Sequence, residues 1–424
     1  MSFHVVDRCV TTETSCFYSH YTHIKTCAIT GIKKSMHKIL TFNQISVKGL
    51  ERFCREKYEV ASEIGSPTAI MLRSQKLTPE LIPETTKAIG RAGAGVNNIP
   101  LEYCTEQGIT VFNAPGANAN AVKELIVCSL LLCSRGIAEG IQYVQGLEAI
   151  DDVQEMHKLL EKEKKQFKGS EIAGKTLGVV GLGAIGSMVA KTALRLGMSV
   201  IGYDPALSVE AAWRLPSEVE RIENLQSLLS KADYVTLHLP VLDTTRNLIN
   251  SEMVGSFKQG ACLLNFARPE IVDTDAVVTA LDKGLLRRYA TDFPEPALIG
   301  RADVLLMPHI GASTDEAEEN CAIMVANQLV DFIENGNVRN SVNFPNVYLE
   351  RTEGYRIAIT NRNIPKMLGN VLAEFSDREI NVIDMLNKSR QDIAYNLLDI
   401  DVEPTDELLA AIKEIEGVVS VRAL

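Results

Sequence analysis

The sequence lacks the features that mark membrane-spanning, nucleic-acid-binding and disulfide-rich proteins. Its 424 residues hold one Trp, and aromatic side chains make up 6% of the total. No apolar run reaches the length needed to cross a bilayer. Acidic residues outnumber basic ones by 54 to 43, and the net charge of −11 argues against non-specific binding to nucleic acid or to anionic membranes. We therefore expect neither of those two partners.

The nine cysteines are scattered and odd in number, and no two are spaced as CxxC. This usage predicts reduced thiols and a cytoplasmic location. Three of the nine (Cys9, Cys16 and Cys27) fall in residues 1–36, which show no steady period and read as a disordered N-terminal extension. Their spacing to nearby histidines matches no zinc pattern, so we expect no metal.

Residues 175–205 carry the strongest local pattern in the chain. The apolar run Thr176–Val180 predicts a strand, and apolar residues at helical spacing after Gly186 predict a helix that ends at Gly197. Between them lies Gly181-Leu182-Gly183-Ala184-Ile185-Gly186. Glycines at these positions allow a tight turn, close approach of a pyrophosphate and close packing of the helix, whose free N–H groups then point at the phosphates. The segment predicts a dinucleotide site.

Asp204 ends the next apolar strand, 18 residues after Gly186. A carboxylate there can accept a hydrogen bond from a ribose 2′-OH, and it repels a 2′-phosphate. We therefore expect the cofactor to be NAD rather than NADP.

Short apolar runs alternate with helical or polar links on both sides of this segment. They lie at residues 38–43, 69–74, 87–92 and 110–113, and again at 232–240, 261–267, 288–292 and 303–309. An apolar helix at 121–135, opened by Asn118 or Asn120, separates the two groups. This alternation predicts an α/β chain with two doubly wound parallel sheets.

Three charged or titratable residues follow predicted strands, where ligands bind in such sheets: Arg268, Glu295 and His309. Oxidation of a hydroxyl needs a base, a cation for the substrate oxygens and a hydride acceptor. His309 and Arg268 can fill the first two roles, and a hydrogen bond from His309 to Glu295 would fix the imidazole tautomer. Each residue alone could equally be a surface charge or a structural histidine.

From about residue 38 to the C-terminus, the sequence resembles the D-2-hydroxyacid dehydrogenase family. The resemblance rests on residues 91–98 (RAGAGVNN), 113–115 (NAP), the glycine turn, 203–205 (YDP), 238–240 (HLP), 265–268 (NFAR), Asp292 with 295–296 (EP), and 308–311 (PHIG). It implies a substrate domain, residues 37–135 and 310–345, split around an inserted NAD-binding Rossmann domain, residues 136–309.

The resemblance also implies roles for single residues. His309 would be the acid/base, Glu295 its partner and Arg268 the substrate anchor. Cofactor contacts are implied for Gly181, Gly183, Ala184, Ile185, Gly186, Asp204, His238, Pro240, Ala267 and Asp292, the last to the nicotinamide carboxamide. Substrate contacts are implied for Arg73, Ser74, Gly93, Ala94, Gly95 and Asn118, with Arg73 on a phosphate and the main chain of Gly93 to Gly95 on a carboxylate.

The sequence departs from the family pattern near the catalytic residues. Pro269-Glu270 follows Arg268 where the family usually has two glycines, and proline fixes φ and removes one N–H. The loop from Asp292 to Glu295 is two residues shorter than usual.

Residues 350–424 predict a βαββαβ order typical of a ferredoxin-like unit, and they resemble the small ACT regulatory domain. The resemblance implies an amino-acid effector, L-serine, held between paired copies by Asn361, Asn363 and Asn381. Asn361 stands where serine-sensitive members can carry His, and Lys366 where Gly is usual. A purely structural dimerisation unit is the alternative.

Taken together, the resemblance implies NAD-dependent oxidation of 3-phospho-D-glycerate to 3-phosphohydroxypyruvate, the first step of L-serine biosynthesis, by a homodimer or homotetramer. A reductase for glyoxylate, hydroxypyruvate or another D-2-hydroxy acid is the alternative within the family. A non-catalytic NAD-sensing protein is a third reading, which the complete set of Arg268, Glu295 and His309 disfavours.

Overall fold

The computed structural model describes residues 36–424, apart from the side chain of Glu210. The predicted N-terminal extension, residues 1–36, lies outside these residues except for its last position. Among the helices of the described part, none is long and apolar enough to span a membrane. The described chain builds three sheets, each from a different stretch of sequence.

The first sheet is parallel and has five strands in the order β2-β1-β3-β4-β5. Its strands are β1 (His37–Thr41), β2 (Tyr58–Ala61), β3 (Ala69–Leu72), β4 (Ala88–Arg91) and β5 (Thr110–Phe112). The accompanying helices are α1 (Val47–Leu50) and α2 (Leu101–Glu106), followed by α3 (Ala119–Ser134), α4 (Ile137–Gln145) and α5 (Val153–Glu163), which lead towards the next sheet. All four residues of β3 are buried, as expected for a central parallel strand.

The second sheet is parallel and has seven strands in the order β12-β11-β10-β9-β6-β7-β8. Its strands are β6 (Thr176–Val180), β7 (Ser199–Tyr203), β8 (Glu220–Arg221), β9 (Tyr234–Leu237), β10 (Ala261–Asn265), β11 (Leu286–Thr291) and β12 (Val304–Leu306). Its helices are α6 (Ala184–Arg195), α7 (Val209–Ala212), α8 (Leu225–Lys231), α9 (Ser251–Val254) and α10 (Thr274–Asp282). The strand order reverses between β6 and β9, which places the carboxyl end of β6 at the switch point where ligands bind in such sheets.

Helix α11 (Asp315–Asn335) returns the chain from the second sheet to the first. Thr314 caps it by accepting from the N–H of Ala317, and Gly336 ends it in the left-handed conformation. A methyl group at Gly90 of β4 would lie 3.0 Å from the Leu329 side chain, so the helix packs directly on the strand.

The third sheet is antiparallel and has the order β14-β15-β13-β16. It contains β13 (Tyr355–Arg362), β14 (Val382–Arg390), β15 (Ile393–Ile400) and β16 (Val418–Ala423), with α12 (Met367–Ser376) and α13 (Asp406–Glu414) between them. One face buries Ile357, Leu398 and Ile400 against these two helices. The other face packs Tyr395 and Leu397 into the same core as Phe332 of α11.

A buried ion pair joins the third sheet to the segment that follows α11. Arg356 and Asp399 are both fully buried, and their Nε–Oδ1 distance is 2.6 Å. Arg356 also donates to the carbonyl oxygens of Leu349 and Glu350, at 2.8 Å each. Because both buried charges are paired, this ion pair fixes the position of the third sheet relative to the segment that follows α11.

The predicted fold class is confirmed: two doubly wound parallel sheets and a βαββαβ unit. The exact domain boundaries stay predictions. Sequence reasoning missed β2, a short edge strand whose alternation in Tyr-Glu-Val-Ala is too brief to stand out. Lys366 has φ of 72°, a left-handed conformation that favours glycine, which explains why glycine suits this position. In this chain a lysine adopts the same conformation.

Candidate active site

The glycine turn lies at the carboxyl end of β6, and its three glycines are held differently. Gly181 has φ of 91°, and a methyl group on it would lie 2.5 Å from the carbonyl oxygen of His238. A methyl group on Gly186 would overlap the carbonyl oxygen of Gly181. At Gly183 no other part of the described chain lies within 4 Å of the methyl position. A side chain therefore does not fit at Gly181 or Gly186, whereas the main chain at Gly183 has free space beside it. Helix α6 begins directly afterwards with the exposed Ala184 and the half-buried Ile185.

Asp204 follows β7 and is bound on both carboxylate oxygens. Oδ2 accepts from the N–H of Leu182 at 2.9 Å, and Oδ1 accepts from the N–H of Ala206 at 3.0 Å. Asp204 and Leu182 border a cavity of about 640 Å³ that is also lined by Leu207 and Trp213. The carboxylate therefore ties the glycine turn to β7 beside a cavity large enough for a nucleoside.

Asp292 follows β11 and organises the loop that carries His309. Its Oδ2 accepts from the N–H of Gly311 at 2.9 Å, and its carbonyl oxygen accepts from the N–H of His309 at 2.8 Å. His309 has φ of 50°, a conformation that costs free energy for a residue with a Cβ and persists only where its surroundings impose it. Oδ1 of Asp292 is buried and has no hydrogen-bond partner in the described chain.

The predicted hydrogen bond between His309 and Glu295 is not formed among the described residues, and this corrects the expectation. The His309 ring instead lies edge-to-face against Phe293, with the ring centroids 5.1 Å apart. The short loop from Asp292 places Glu295 directly before a 3₁₀ turn that begins at Pro296. Glu295 is half-buried and His309 exposed, so the histidine can still exchange a proton with a ligand.

Arg268 follows β10 and reaches the first sheet. Asn265 holds its backbone by donating to the Arg268 carbonyl oxygen at 2.9 Å. A methyl group on Gly95 would lie 3.5 Å from Nη2 of Arg268, so the guanidinium borders the loop after β4. Pro269 is accommodated because it begins a 3₁₀ turn, where its missing N–H has no partner to lose.

The loop after β4 is fixed by backbone and side-chain hydrogen bonds. Asn113 donates to the carbonyl oxygen of Ala94 at 2.6 Å, and the N–H of Ala114 donates to that of Gly93 at 2.9 Å. A methyl group on Gly93 would overlap the Arg91 guanidinium. A side chain at Gly93 would therefore displace the Arg91 guanidinium, while the Gly93 N–H is held by the Arg91 carbonyl oxygen at 2.8 Å.

Arg91 is a candidate site residue that was not predicted from the sequence. Its Nε donates to the carbonyl oxygen of Arg73 at 3.0 Å, and its Nη1 lies 3.9 Å from the methyl position of Gly95. Burial and then the neighbouring Arg268 and Arg73 lower the pKa of Arg91. Two guanidinium groups, those of Arg91 and Arg268, thus border one loop, and the charge of Arg73 is close enough to act on Arg91. The signal was present, because Arg91 opens the RAGAGVNN segment at the end of a strand.

The other predicted site residues fall at the edges of this arrangement. The N–H of Ser74 donates to Asn43 at 3.0 Å, and Asn118 is the residue preceding α3, without a side-chain cap bond. His238 interacts with Thr236 at 3.0 Å, and burial lowers the pKa of His238 to about 3, so this ring is neutral. Pro240 accepts from Thr245 at 2.6 Å, and Ala267 donates to Asn265 at 3.2 Å.

The three asparagines proposed for an effector differ in their surroundings. Asn361 is 3% exposed, its Oδ1 accepts from Asn396 at 2.7 Å and its amide donates to the Arg362 carbonyl oxygen. Asn361 is therefore a core residue, contrary to the expectation, because β15 supplies an amide opposite it. Asn363 and Asn381 are exposed.

The residues present fit an NAD molecule. Gly183 leaves the main chain open at the start of α6, the 640 Å³ cavity adjoins Asp204, and the unpartnered Oδ1 of Asp292 can accept from a carboxamide N–H. Buried carboxylate oxygens are rarely left without a donor, so this atom indicates a ligand.

Comparison with known proteins agrees with this geometry. Residues 133–311 match the family model described as the D-isomer specific 2-hydroxyacid dehydrogenase, NAD binding domain. A D-3-phosphoglycerate dehydrogenase of Haemophilus influenzae is 36% identical over 383 residues, covering 86% of this chain and 88% of that protein. The chain belongs to the D-isomer specific 2-hydroxyacid dehydrogenase family, and its second sheet forms an NAD-binding domain.

The names of individual relatives give a narrower activity than the family description does. A D-3-phosphoglycerate dehydrogenase of Methanocaldococcus jannaschii is 35% identical over 339 residues, 78% of this chain, and the match spans only 61% of that protein. The crystal structure of NAD⁺-bound 3-phosphoglycerate dehydrogenase from Entamoeba histolytica aligns with a TM-score of 0.57 at 26% identity, over 74% of this chain and all of that one.

Proposed function

We propose that this protein is an NAD-dependent dehydrogenase that oxidises 3-phospho-D-glycerate to 3-phosphohydroxypyruvate, the first step of L-serine biosynthesis. One observation carries the proposal: Arg91 and Arg268 place their guanidinium groups at the Gly93 to Gly95 loop beside the NAD-binding sheet, and Arg91 also donates to the backbone carbonyl oxygen of Arg73. A substrate with both a carboxylate and a phosphate suits three cations, because guanidinium groups bind both anions with planar pairs of hydrogen bonds. The named relatives support the same substrate.

In this proposal the Gly93 to Gly95 loop binds the substrate carboxylate through the N–H groups of Ala94 and Gly95, since that of Gly93 donates to the Arg91 carbonyl oxygen at 2.8 Å. Arg73 and Arg91 bind the phosphate. Arg268, 3.5 Å from the Gly95 methyl position, binds the oxygen of the reacting hydroxyl and stabilises it as the carbonyl forms. His309 takes the hydroxyl proton. Bound NAD would supply the hydride acceptor for the carbon that carries this hydroxyl.

Asp292 has a positioning role in this reaction. Through its carbonyl oxygen and Oδ2 it holds the backbone of His309 and Gly311, and its Oδ1 is left to accept from the nicotinamide carboxamide. A single buried residue thereby sets the distance between the proton acceptor and the hydride acceptor. Glu295 is half-buried and lies two residues from Phe293, the residue that contacts His309, from where its carboxylate can favour the imidazolium as it forms.

A regulatory role for the C-terminal unit completes the proposal. We infer that L-serine binds at Asn363 and Asn381, whose exposed amides can meet both the ammonium and the carboxylate of an amino acid. Strand β14 is an edge of its sheet, and Ile383 on it is 45% exposed, which supports pairing with a second copy in a homodimer or homotetramer. A cytoplasmic location fits the six free cysteines of the described part.

The test is an NADH absorbance assay with 3-phosphoglycerate beside D-glycerate, D-lactate and 2-hydroxyglutarate. We expect the largest kcat/KM with 3-phosphoglycerate and NAD. A larger value with glyoxylate or hydroxypyruvate in the reverse direction would favour the reductase instead. No turnover of any of these substrates, with NAD binding intact, would favour a non-catalytic NAD-sensing protein.

A further inference from the structure

An ion pair links Arg73 to the helix that closes the first sheet. Nη2 of Arg73 lies 2.7 Å from Oε1 of Glu318, and each side chain is 39% exposed. Arg73 follows β3, whereas Glu318 stands in the first turn of α11, 245 positions later in the chain. The carboxylate therefore occupies one donor of the guanidinium proposed to bind the substrate phosphate.

The position of Glu318 on the helix is fixed by packing. Ala317 and Cys321 are buried on the side of α11 that faces the sheet. A methyl group at Gly49 would come within 2.5 Å of the Ala322 side chain, so α1 presses against the same stretch of the helix. Because the helix backbone cannot shift, Glu318 can leave Arg73 only by rotating its own side chain.

A substrate phosphate and the Glu318 carboxylate compete for the same cation. A phosphate dianion forms the stronger hydrogen bonds to guanidinium, but two anions on one guanidinium repel each other. Two neighbouring acids of α11 act on another cation: Glu319 pairs with Lys48 at 2.6 Å, and Glu316 also acts on Lys48. Glu318 is the acid of this helix that pairs with Arg73.

We propose that Glu318 is a specificity-determining residue: it holds Arg73 while the site is empty and is exchanged for the phosphate of the substrate. The exchange weakens the binding of phosphorylated substrate and of phosphorylated product alike. This inference rests on the proposed function. It assigns to Glu318 an effect on phosphorylated ligands that acts through Arg73.

The test is Glu318→Gln, which keeps the side-chain size and a hydrogen-bond acceptor but removes the charge. The KM for 3-phosphoglycerate should fall by about 3- to 10-fold, with kcat and the KM for D-glycerate within about twofold of the parent. The fall should shrink as salt is raised, since salt screens half-exposed charges. Glu319→Gln, one position along the same helix turn, is the matched control and should leave all constants as they are.

Two further measurements separate the possible results. In the background of Arg73→Ala, Glu318→Gln should have no effect on KM, because the competition needs the guanidinium. An unchanged or increased KM for 3-phosphoglycerate in the single variant would overturn the inference while leaving the proposed function standing. Isothermal titration with 3-phosphoglycerate tests binding when neither protein shows turnover. Tighter binding to Glu318→Gln than to wild type would then support the inference and refute the proposed activity.

Discussion

The backbone N–H of His309 donates to the carbonyl oxygen of Asp292 at 2.8 Å, and this bond holds His309 at φ of 50°. The imidazole is thereby aimed from a strained backbone that its neighbours impose. In the proposed reaction, one residue carries the acid/base group and the other fixes both its position and that of the nicotinamide.

Replacing His309 tests the proton transfer. His309→Ala should lower kcat by ~10²- to 10⁴-fold, because no other group takes the hydroxyl proton, while the Kd for NADH stays close to that of wild type. Stopped-flow or steady-state absorbance gives kcat, and fluorescence titration gives the Kd. Wild-type turnover in the variant would remove His309 from the mechanism.

Asp204 tests the choice of cofactor. Asp204→Ala should reduce the ratio of kcat/KM for NAD to that for NADP, since the group that repels a 2′-phosphate is gone. The variant also loses the bonds to Leu182 and Ala206, but that change in the turn acts on both cofactors. The ratio isolates the charge effect, and an unaltered ratio would contradict the assignment.

Arg73 tests the phosphate site. Arg73→Ala should raise the KM for 3-phosphoglycerate by ~10- to 100-fold, the value of one or two charge-assisted hydrogen bonds, and should change the KM for D-glycerate by less than about threefold. Lys76→Ala, which removes an exposed cation three residues on, is the control. Equal losses on both substrates would indicate a folding defect or a wrong residue.

The buried pair of Arg356 and Asp399 tests the attachment of the third sheet. Asp399→Asn should destabilise the protein by ~3–5 kcal/mol, because it leaves a buried guanidinium without its counter-charge. Urea denaturation and hydrogen exchange in β13 and β15 measure the loss. Arg378→Ala, which breaks an exposed pair with Glu374 in the same unit, should cost no more than about 0.5 kcal/mol.

The same pair predicts a response to acid. Burial alone would raise the pKa of Asp399, but hydrogen bonds from Arg356 and Thr352 outweigh it and hold the pKa below its ordinary value. A lowered folded pKa stabilises the fold above the unfolded value of about 3.9, and this contribution is lost as the pH falls through the folded pKa. The difference in stability between wild type and Asp399→Asn should therefore shrink below about pH 4. A difference that stays constant down to pH 2 would argue against the ionised pair.

Serine binding tests the C-terminal unit. Asn363→Ala and Asn381→Ala should weaken inhibition by L-serine while uninhibited turnover persists, because an effector acts only by binding one state more tightly than another. Isothermal titration with L-serine decides whether it binds. An absence of heat at millimolar serine, together with an unchanged rate, would make the unit a structural dimeriser.

The sequence by itself determined the elements and the local chemistry. The strand Thr176–Val180, the glycine turn and the βαββαβ order of residues 350–424 appear as predicted, because alternation, helical spacing and glycine act on a few neighbouring residues. Tertiary structure decided the contacts between distant residues. It placed Phe293 rather than Glu295 against His309, buried Asn361 behind Asn396, brought Arg268 to the loop after β4 and set Glu318 on Arg73. These pairings depend on how sheets and helices pack, since the partners lie on different elements and only the assembled core fixes the distance between their side chains.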